Sequence, residues 1–157
     1  MDNEFLPADR PGAPNESFPA EEVPASQALS KRAARRLIQR AFVLVGRDRN
    51  VRQHLREASV VTLWTLEDWK LAWTVELERG KVHFERRPAK HPDLRLTWRT
   101  AEEFFNQIEN GVPPDDGLGI AGNLHLRRFS QPVYQAFCKA LRKVLRYPFD
   151  DEGNRLT

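Results

Sequence analysis

The strongest hydrophobic pattern in the sequence is an alternation of apolar and polar residues on both sides of a short turn. Residues 70–78 place an apolar side chain at every second position, and residues 82–85 repeat this period after Arg79 and Gly80. A period of two gives a strand one apolar and one polar face, and glycine accepts the positive φ that hairpin turns require. The pattern therefore predicts an antiparallel hairpin, whose apolar face needs further strands and a covering layer.

Related patterns predict three more strands and four helices. Residues 60–65 are β-branched and aromatic, and residues 93–99 and 123–128 alternate like the hairpin, so each segment is expected to be a strand. Apolar residues at helical spacing predict helices over residues 30–45, 50–57, 100–110 and 130–147. The elements together indicate an α+β domain with five strands.

Polar residues mark where the predicted helices begin. Ser30 and Ser130 are expected to be N-caps, because a hydroxyl accepts a hydrogen bond from a free backbone N–H of the first turn. Thr100 and Glu103 have the spacing of a capping box, in which each side chain bonds one such N–H. Pro148 is expected to end the last helix, since proline cannot continue it.

The charge distribution divides the chain into an acidic N-terminal segment and a basic body. Residues 1–27 contain five prolines and few large apolar side chains, so they are expected to be a disordered tail, with residues 28–157 forming one domain. Residues 1–30 have a charge balance of −5, whereas residues 31–157 have a balance of +8. A basic body favours an anionic partner, which can be a phospholipid headgroup, a nucleic acid or an acidic protein.

The sequence shows no arrangement typical of an enzyme or a metal site. Cys138 is the single cysteine and lies in an apolar helical pattern, so it is expected to be an inert thiol in a reducing compartment. The four histidines lack metal-ligand spacing. The G-x-G-x-x-G match at residues 117–122 lacks the preceding strand that a dinucleotide site requires. We therefore expect no catalysis, no cofactor and no metal.

The sequence also predicts where in the cell the protein works. It contains no apolar run of the roughly 20 residues that a bilayer-spanning helix needs. Its first residues lack the basic and apolar regions of a signal peptide. The expected location is the cytoplasm.

The pattern predicts that a set of aromatic residues faces the space between the sheet and its covering helices. These side chains either fill that space or leave it partly hollow for a lipid chain, of which each buried methylene contributes about 0.8 kcal/mol. The set comprises Trp73, Phe84, Trp98, Phe104, Phe105, Tyr134 and Phe137.

Three segments of the chain resemble the SCP2 sterol-carrier family, and its bacterial-type members in particular. They are LAWTVELERGKV at residues 71–82, PDLRLTWRTAEEFFNQIENG at residues 92–111, and GNLHL at residues 122–126. The resemblance implies a five-stranded, mostly antiparallel sheet with helices packed on one face and a hydrophobic tunnel between the layers. Members of this family bind or move sterols, fatty acyl-CoA or phospholipids, and some bacterial relatives assist quinone biosynthesis.

The combined expectation is a small, non-enzymatic carrier that holds an acyl, sterol-like or isoprenoid lipid in an apolar cavity. The expected lining residues are Trp73, Val75, Phe84, Leu96, Trp98, Phe104, Phe105, Ile108, Leu118, Ile120, Tyr134, Phe137 and Leu141. Cations expected to meet an anionic headgroup at the rim are Arg127, Arg128, Arg142 and Lys143.

Two alternatives to the carrier remain open at the level of the sequence. One is an accessory or scaffold module with a filled core, which assists a lipid or ubiquinone biosynthesis pathway. The other is nucleic-acid binding through the basic first helix. The pattern disfavours it, because it places the aromatic residues on buried faces, whereas bases stack on exposed rings. The expected partners are a lipid, an anionic membrane surface in transient contact, and a biosynthetic enzyme.

Overall fold

The computed structural model describes residues 29–110 and 120–157 and shows an α+β fold. The acidic segment predicted over residues 1–27 lies outside the described residues, as does most of the glycine-rich loop. The elements in chain order are α1 (Lys31–Arg47), α2 (Arg49–His54), β1 (Ser59–Leu66), β2 (Leu71–Glu78), β3 (Lys81–Glu85), β4 (Leu94–Trp98), α3 (Ala101–Asn110), β5 (Ile120–Gly122), a 3₁₀ turn (Leu124–Leu126) and α4 (Arg127–Arg146).

The five strands form one mixed sheet in the order β3-β2-β1-β4-β5. Strand β1 pairs antiparallel with β2 and parallel with β4, and the other two pairings are antiparallel. The predicted five-stranded, mostly antiparallel sheet is therefore confirmed. Its centre is β1, in which Trp64 lies directly across from Trp73 of β2.

The hairpin between β2 and β3 closes through the two residues that the sequence indicated. Arg79 and Gly80 both have positive φ, at 50° and 84°, which matches the twist of the flanking strands. Glu78 and Lys81 form the pair next to the turn. The predicted hairpin is confirmed in position and in register.

Two of the predicted helix starts are also confirmed. The Ser30 hydroxyl accepts a hydrogen bond from the Ala33 N–H at 3.0 Å and caps α1. The Thr100 hydroxyl accepts from the Glu103 N–H at 3.0 Å, and the Glu103 carboxylate accepts from the Arg99 N–H at 3.1 Å. The bonds to Ser30 and Thr100 satisfy backbone donors that the first helical turn leaves free, and the Glu103 bond reaches back to the N–H of the residue before Thr100.

The hydrophobic core lies between the inner face of the sheet and helices α1, α3 and α4. Every inward residue of β2 is at most 4% exposed, and so are the inward residues of β4. Helix α1 contributes an apolar stripe that ends with Phe42 and Val45. The outer face of the sheet is mainly polar, as the period of two requires.

The fifth strand does not lie where the alternation placed it. Residues 123–128 were expected to be a strand, but β5 ends at Gly122, and the next residues form a 3₁₀ turn that leads into α4. Apolar residues at positions 126, 129, 133, 134 and 137 have helical spacing, so the period of α4 extends back to Leu126 and prevails over the short alternation. The strand implied by the resemblance at residues 122–126 is therefore wrong.

The start of α4 differs from its prediction as well. Ser130 was expected to be the N-cap, but it lies buried inside the helix, and its hydroxyl donates to the Arg127 carbonyl at 3.3 Å. Pro132 also lies inside the helix and has no N–H for the Arg128 carbonyl one turn earlier. The His54 ring reaches that carbonyl with Nε2 at 2.8 Å and donates in its place.

Candidate functional site

A continuous cluster of aromatic rings fills the centre of the interface between sheet and helices. Phe42 of α1 lies 4.7 Å from Phe137 of α4 between ring centroids, and it stacks on Phe84 at 5.3 Å. Trp64 of β1 lies 5.2 Å from Phe42 and 5.0 Å from Phe137. On its other side Trp64 approaches Trp98 at 5.8 Å. The rings therefore connect α1, α4 and the sheet into one apolar layer.

The structure brings most of the predicted lining residues into this layer. Those that are at most 4% exposed are Trp73, Val75, Leu96, Trp98, Phe104, Phe105, Ile108, Tyr134, Phe137 and Leu141. Phe84 and Ile120 are half-buried and pack against the same core, and Leu118 lies outside the described residues.

Two central rings were not among the predicted lining residues. Phe42 and Trp64 make more of the ring contacts described above than any predicted residue. The signal for both was present: Phe42 lies on the apolar stripe of α1, and Trp64 lies in phase with Val60 and Leu66 of β1. Their central position follows from β1 being the middle strand, which a local pattern does not show.

The predicted hydrophobic tunnel is not seen in the part of the chain that the structure describes. A cavity at the centre of the ring cluster has a volume of about 10 Å³, at the lower limit for holding a single water molecule. It is lined by Ile38, Phe42, Trp64, Thr65, Leu66, Trp73, Trp98, Phe104 and Phe137. Among the described residues, the centre of this interface therefore leaves only a small apolar void.

The three tryptophans on the inner face of the sheet differ in their hydrogen bonds. The Trp64 indole N–H donates to the Thr62 hydroxyl at 2.9 Å, and the Trp98 indole N–H donates to Gln107 Oε1 at 2.8 Å. The indole N–H of Trp73 is buried and has no acceptor among the described residues. A buried donor without a partner is uncommon, because it has lost water without compensation.

Two other polar groups in the core are kept neutral by burial. Burial raises the pKa of the Cys138 thiol to about 11, and burial also raises the pKa of the Tyr134 hydroxyl above its ordinary value. At neutral pH, Cys138 is thus a protonated and unreactive thiol, in agreement with the expectation from its apolar surroundings.

The four cations predicted to form a headgroup rim do not come together. Arg127 and Arg128 lie in the first turn of α4, whereas Arg142 and Lys143 lie near its end, about 22 Å further along the axis at 1.5 Å per residue. Arg142 donates to the Ile108 carbonyl at 2.6 Å and so closes the end of α3. The Arg128 guanidinium lies 4.8 Å from the centre of the Phe129 ring. One headgroup cannot contact all four.

The positive charge is instead spread over a surface that we call the basic helix pair, formed by α1 and α4. These two helices pack against each other and carry twelve Lys and Arg residues but no Asp or Glu. Between them runs an open groove of about 260 Å³. Its lining combines the apolar residues Leu44, Val45, Ala136 and Ala140 with the cations Arg47, Lys139 and Lys143 and with one acid, Asp48.

One acidic group from the C-terminal segment contacts the basic helix pair. Asp151 accepts hydrogen bonds from Arg40 at 2.9 Å and from Arg47 at 2.7 Å. These guanidinium groups hold the pKa of the Asp151 carboxyl well below its usual value. The contact attaches the C-terminal segment to α1 and neutralises part of the charge at one end of the surface.

Neither a metal site nor a membrane-spanning helix is found among the residues that the structure describes. No group of three or more His, Cys, Asp or Glu side chains there is placed to hold a metal ion. No helix in residues 29–110 and 120–157 is long and apolar enough to cross a membrane.

No protein-family model matches the chain, and no curated protein matches it. A solved structure titled "UbiJ-SCP2 Ubiquinone synthesis protein" is 10% identical and has a TM-score of 0.41; the match covers 67% of this chain and 94% of that chain.

Proposed function

We propose that this chain is a non-enzymatic lipid-binding accessory domain, which holds an acyl, sterol-like or isoprenoid tail between its sheet and its helices. The observation that supports this most directly is the position of the aromatic layer, immediately beneath two helices whose own sequences contain twelve Lys and Arg residues and no Asp or Glu. An apolar interior below a cationic surface fits a molecule with a greasy tail and an anionic or membrane-derived head.

A tail can enter only if the helices move away from the sheet, because the closed interface encloses about 10 Å³. Ten buried methylenes contribute about 8 kcal/mol. That gain must offset the cost of separating the rings of α1 and α4 from those of the sheet. The rings that separate lose contacts with each other and form new contacts with the tail, so these two terms largely cancel. The net gain then comes from the methylenes removed from water, and it is large enough only for a long tail.

The basic helix pair provides the site at which the lipid is collected. Lys139 and Lys143 line the groove together with the apolar residues Leu44 and Ala136. The lysines can pair with a charged head, and the apolar residues can contact the first carbons of its tail. Attraction to an anionic membrane surface also raises the rate of encounter and weakens with added salt.

Native mass spectrometry of the gently purified protein tests this proposal. We expect an adduct of lipid mass that organic extraction removes and that vesicles containing anionic phospholipid restore. In a Lys139→Gln/Lys143→Gln variant, restoration is expected to be slower but the final occupancy similar, because the tail supplies the affinity. A protein that carries no adduct and takes none from vesicles contradicts the proposal.

A second candidate function is a scaffold module with a filled core, and the 10 Å³ cavity favours it. The resemblance of residues 71–82 and 92–111 to the SCP2 family supports a lipid or quinone pathway for both candidates, so ubiquinone synthesis is the first pathway to test. A chain that supports cellular quinone content without ever acquiring a lipid adduct is the result that distinguishes the scaffold from the carrier.

A further inference from the structure

The indole N–H of Trp73 is a buried polar group that makes no hydrogen bond with the described residues. Trp73 is 2% exposed, and no acceptor lies within hydrogen-bonding reach of its Nε1 in the described residues. Buried tryptophans normally place this N–H on an acceptor, as Trp64 and Trp98 do on the same face of the same sheet.

A trapped water is a poor explanation for the unpaired donor. Trp73 lines the central cavity, whose volume of about 10 Å³ is at the limit for one water molecule. A stable buried water needs two to four polar partners. Apart from the indole groups, Thr65 is the only lining residue with a polar side chain, and the indole N–H groups of Trp64 and Trp98 are already used.

Trp73 is covered in the closed core, but it lies near the end of the edge strand. Strand β3 pairs with β2 from Thr74 to Glu78 only, so the segment of β2 from Leu71 to Trp73 has β1 as its single described strand neighbour. Trp73 therefore lies beside the place where the edge strand stops, and Phe42 of α1 covers it at 6.2 Å between ring centroids. Movement of α1 away from the sheet opens the core at this point.

We propose that the Trp73 indole N–H binds a neutral oxygen acceptor, a carbonyl above all, in the lipid held between the layers. The acceptor is neutral because the lining contains no Lys, Arg or His to offset a buried negative charge. The ligand class is then an apolar molecule with a carbonyl next to its tail, such as an ester or a quinone, rather than a pure hydrocarbon. This inference rests on the proposed lipid-binding function.

Three probes of matched length separate the carbonyl from the tail: a decyl-substituted benzoquinone, a fatty acid methyl ester and an alkylbenzene. Titration calorimetry on the full chain is expected to show tighter binding of at least one carbonyl probe than of the alkylbenzene. Trp73→Phe is expected to weaken carbonyl binding roughly five- to tenfold, the value of one hydrogen bond, and to leave alkylbenzene binding within about twofold. The carbonyl probe that binds more tightly indicates whether the ligand of this protein is a quinone or an ester.

Trp64→Phe is the matched control, because it removes the same ring atoms from a donor that is already bonded to Thr62. It is expected to change the affinities of all three probes by a similar factor. An independent measurement on the unsubstituted protein is the indole N–H region of its ¹⁵N spectrum, which contains one signal for each of the four tryptophans. The Trp73 signal is expected to move downfield with the carbonyl probe and not with the alkylbenzene.

The outcomes distinguish failure of the donor assignment from failure of lipid binding. If Trp73→Phe weakens carbonyl and hydrocarbon probes equally, or if the Trp73 signal does not respond to the carbonyl, the assignment is wrong although lipid binding stands. If the unsubstituted protein binds none of the probes and takes no lipid from vesicles, both the assignment and the proposed function fail.

Discussion

Replacing each buried tryptophan by phenylalanine measures the hydrogen bonds of the core without a ligand. The three substitutions remove the same atoms from similarly buried positions, so their transfer and cavity costs are comparable. They differ in the indole N–H: Trp64→Phe leaves the buried Thr62 hydroxyl without its donor, whereas Trp73→Phe removes a donor that has no acceptor among the described residues.

The expected difference follows from the hydrogen-bond energies. A satisfied bond contributes about 0.5–1.5 kcal/mol, and an unsatisfied buried donor costs about 1–3 kcal/mol. The free energy of unfolding of Trp73→Phe should therefore exceed that of Trp64→Phe by about 1.5–4.5 kcal/mol. Trp98→Phe should lie between them, because its acceptor, Gln107, is only half-buried and can bond water instead.

Urea unfolding followed by far-UV circular dichroism is the suitable assay, since it does not depend on tryptophan emission. With an ordinary slope, the difference corresponds to midpoints about 1–2 M apart. The reasoning is refuted if Trp73→Phe destabilises the protein as much as Trp64→Phe at an unchanged slope, because the Trp73 donor must then have a partner in solution.

Three further predictions concern contacts outside the core. His54→Ala should destabilise the protein by about 0.5–1.5 kcal/mol, and Pro132→Ala should abolish this effect in a double-mutant cycle, because a restored N–H then occupies the same carbonyl; additive effects would contradict this. Gly122→Ala should destabilise the protein by several kcal/mol more than Gly153→Ala: both have positive φ, but a Cβ at Gly122 would clash with the backbone carbonyl oxygen of Asp93, whereas Gly153 faces open space. Asp151→Asn should lower the melting temperature near neutral pH. The pKa of the Asp151 carboxyl is lower in the folded than in the unfolded protein, so its contribution to stability is complete above the unfolded pKa and declines as the pH falls. The melting temperatures of the unsubstituted protein and the variant should therefore converge in acid. A difference in melting temperature that does not depend on pH would refute this.

The small void between sheet and helices changes what the proposed lipid binding requires of this protein. A preformed tunnel binds a tail without rearrangement, whereas a cavity of about 10 Å³ demands that ring contacts between α1 and the sheet separate first. Uptake should then be slower than diffusion and sensitive to substitutions that alter the packing of Phe42 against Phe84. Stopped-flow transfer from vesicles at increasing protein concentration should show a rate that saturates, as expected when opening limits binding.

The sequence alone determined the features that depend on neighbouring residues. The hairpin turn at Arg79 and Gly80, the Ser30 cap and the capping box at Thr100 all follow from local backbone chemistry, and they lie where they were predicted. The inner phase of the strands was readable for the same reason, because a period of two is a property of a single strand.

Tertiary structure decided the features that join distant parts of the chain. Whether residues 123–128 continue a strand or begin a helix depended on packing of the last helix against the core. The same holds for β1 as the central strand, for Arg142 closing α3, and for the small size of the void at the centre of the ring cluster. Periodicity shows which side of an element is buried but not which atoms meet it there, so the unpaired N–H of Trp73 became visible only once the layers were assembled.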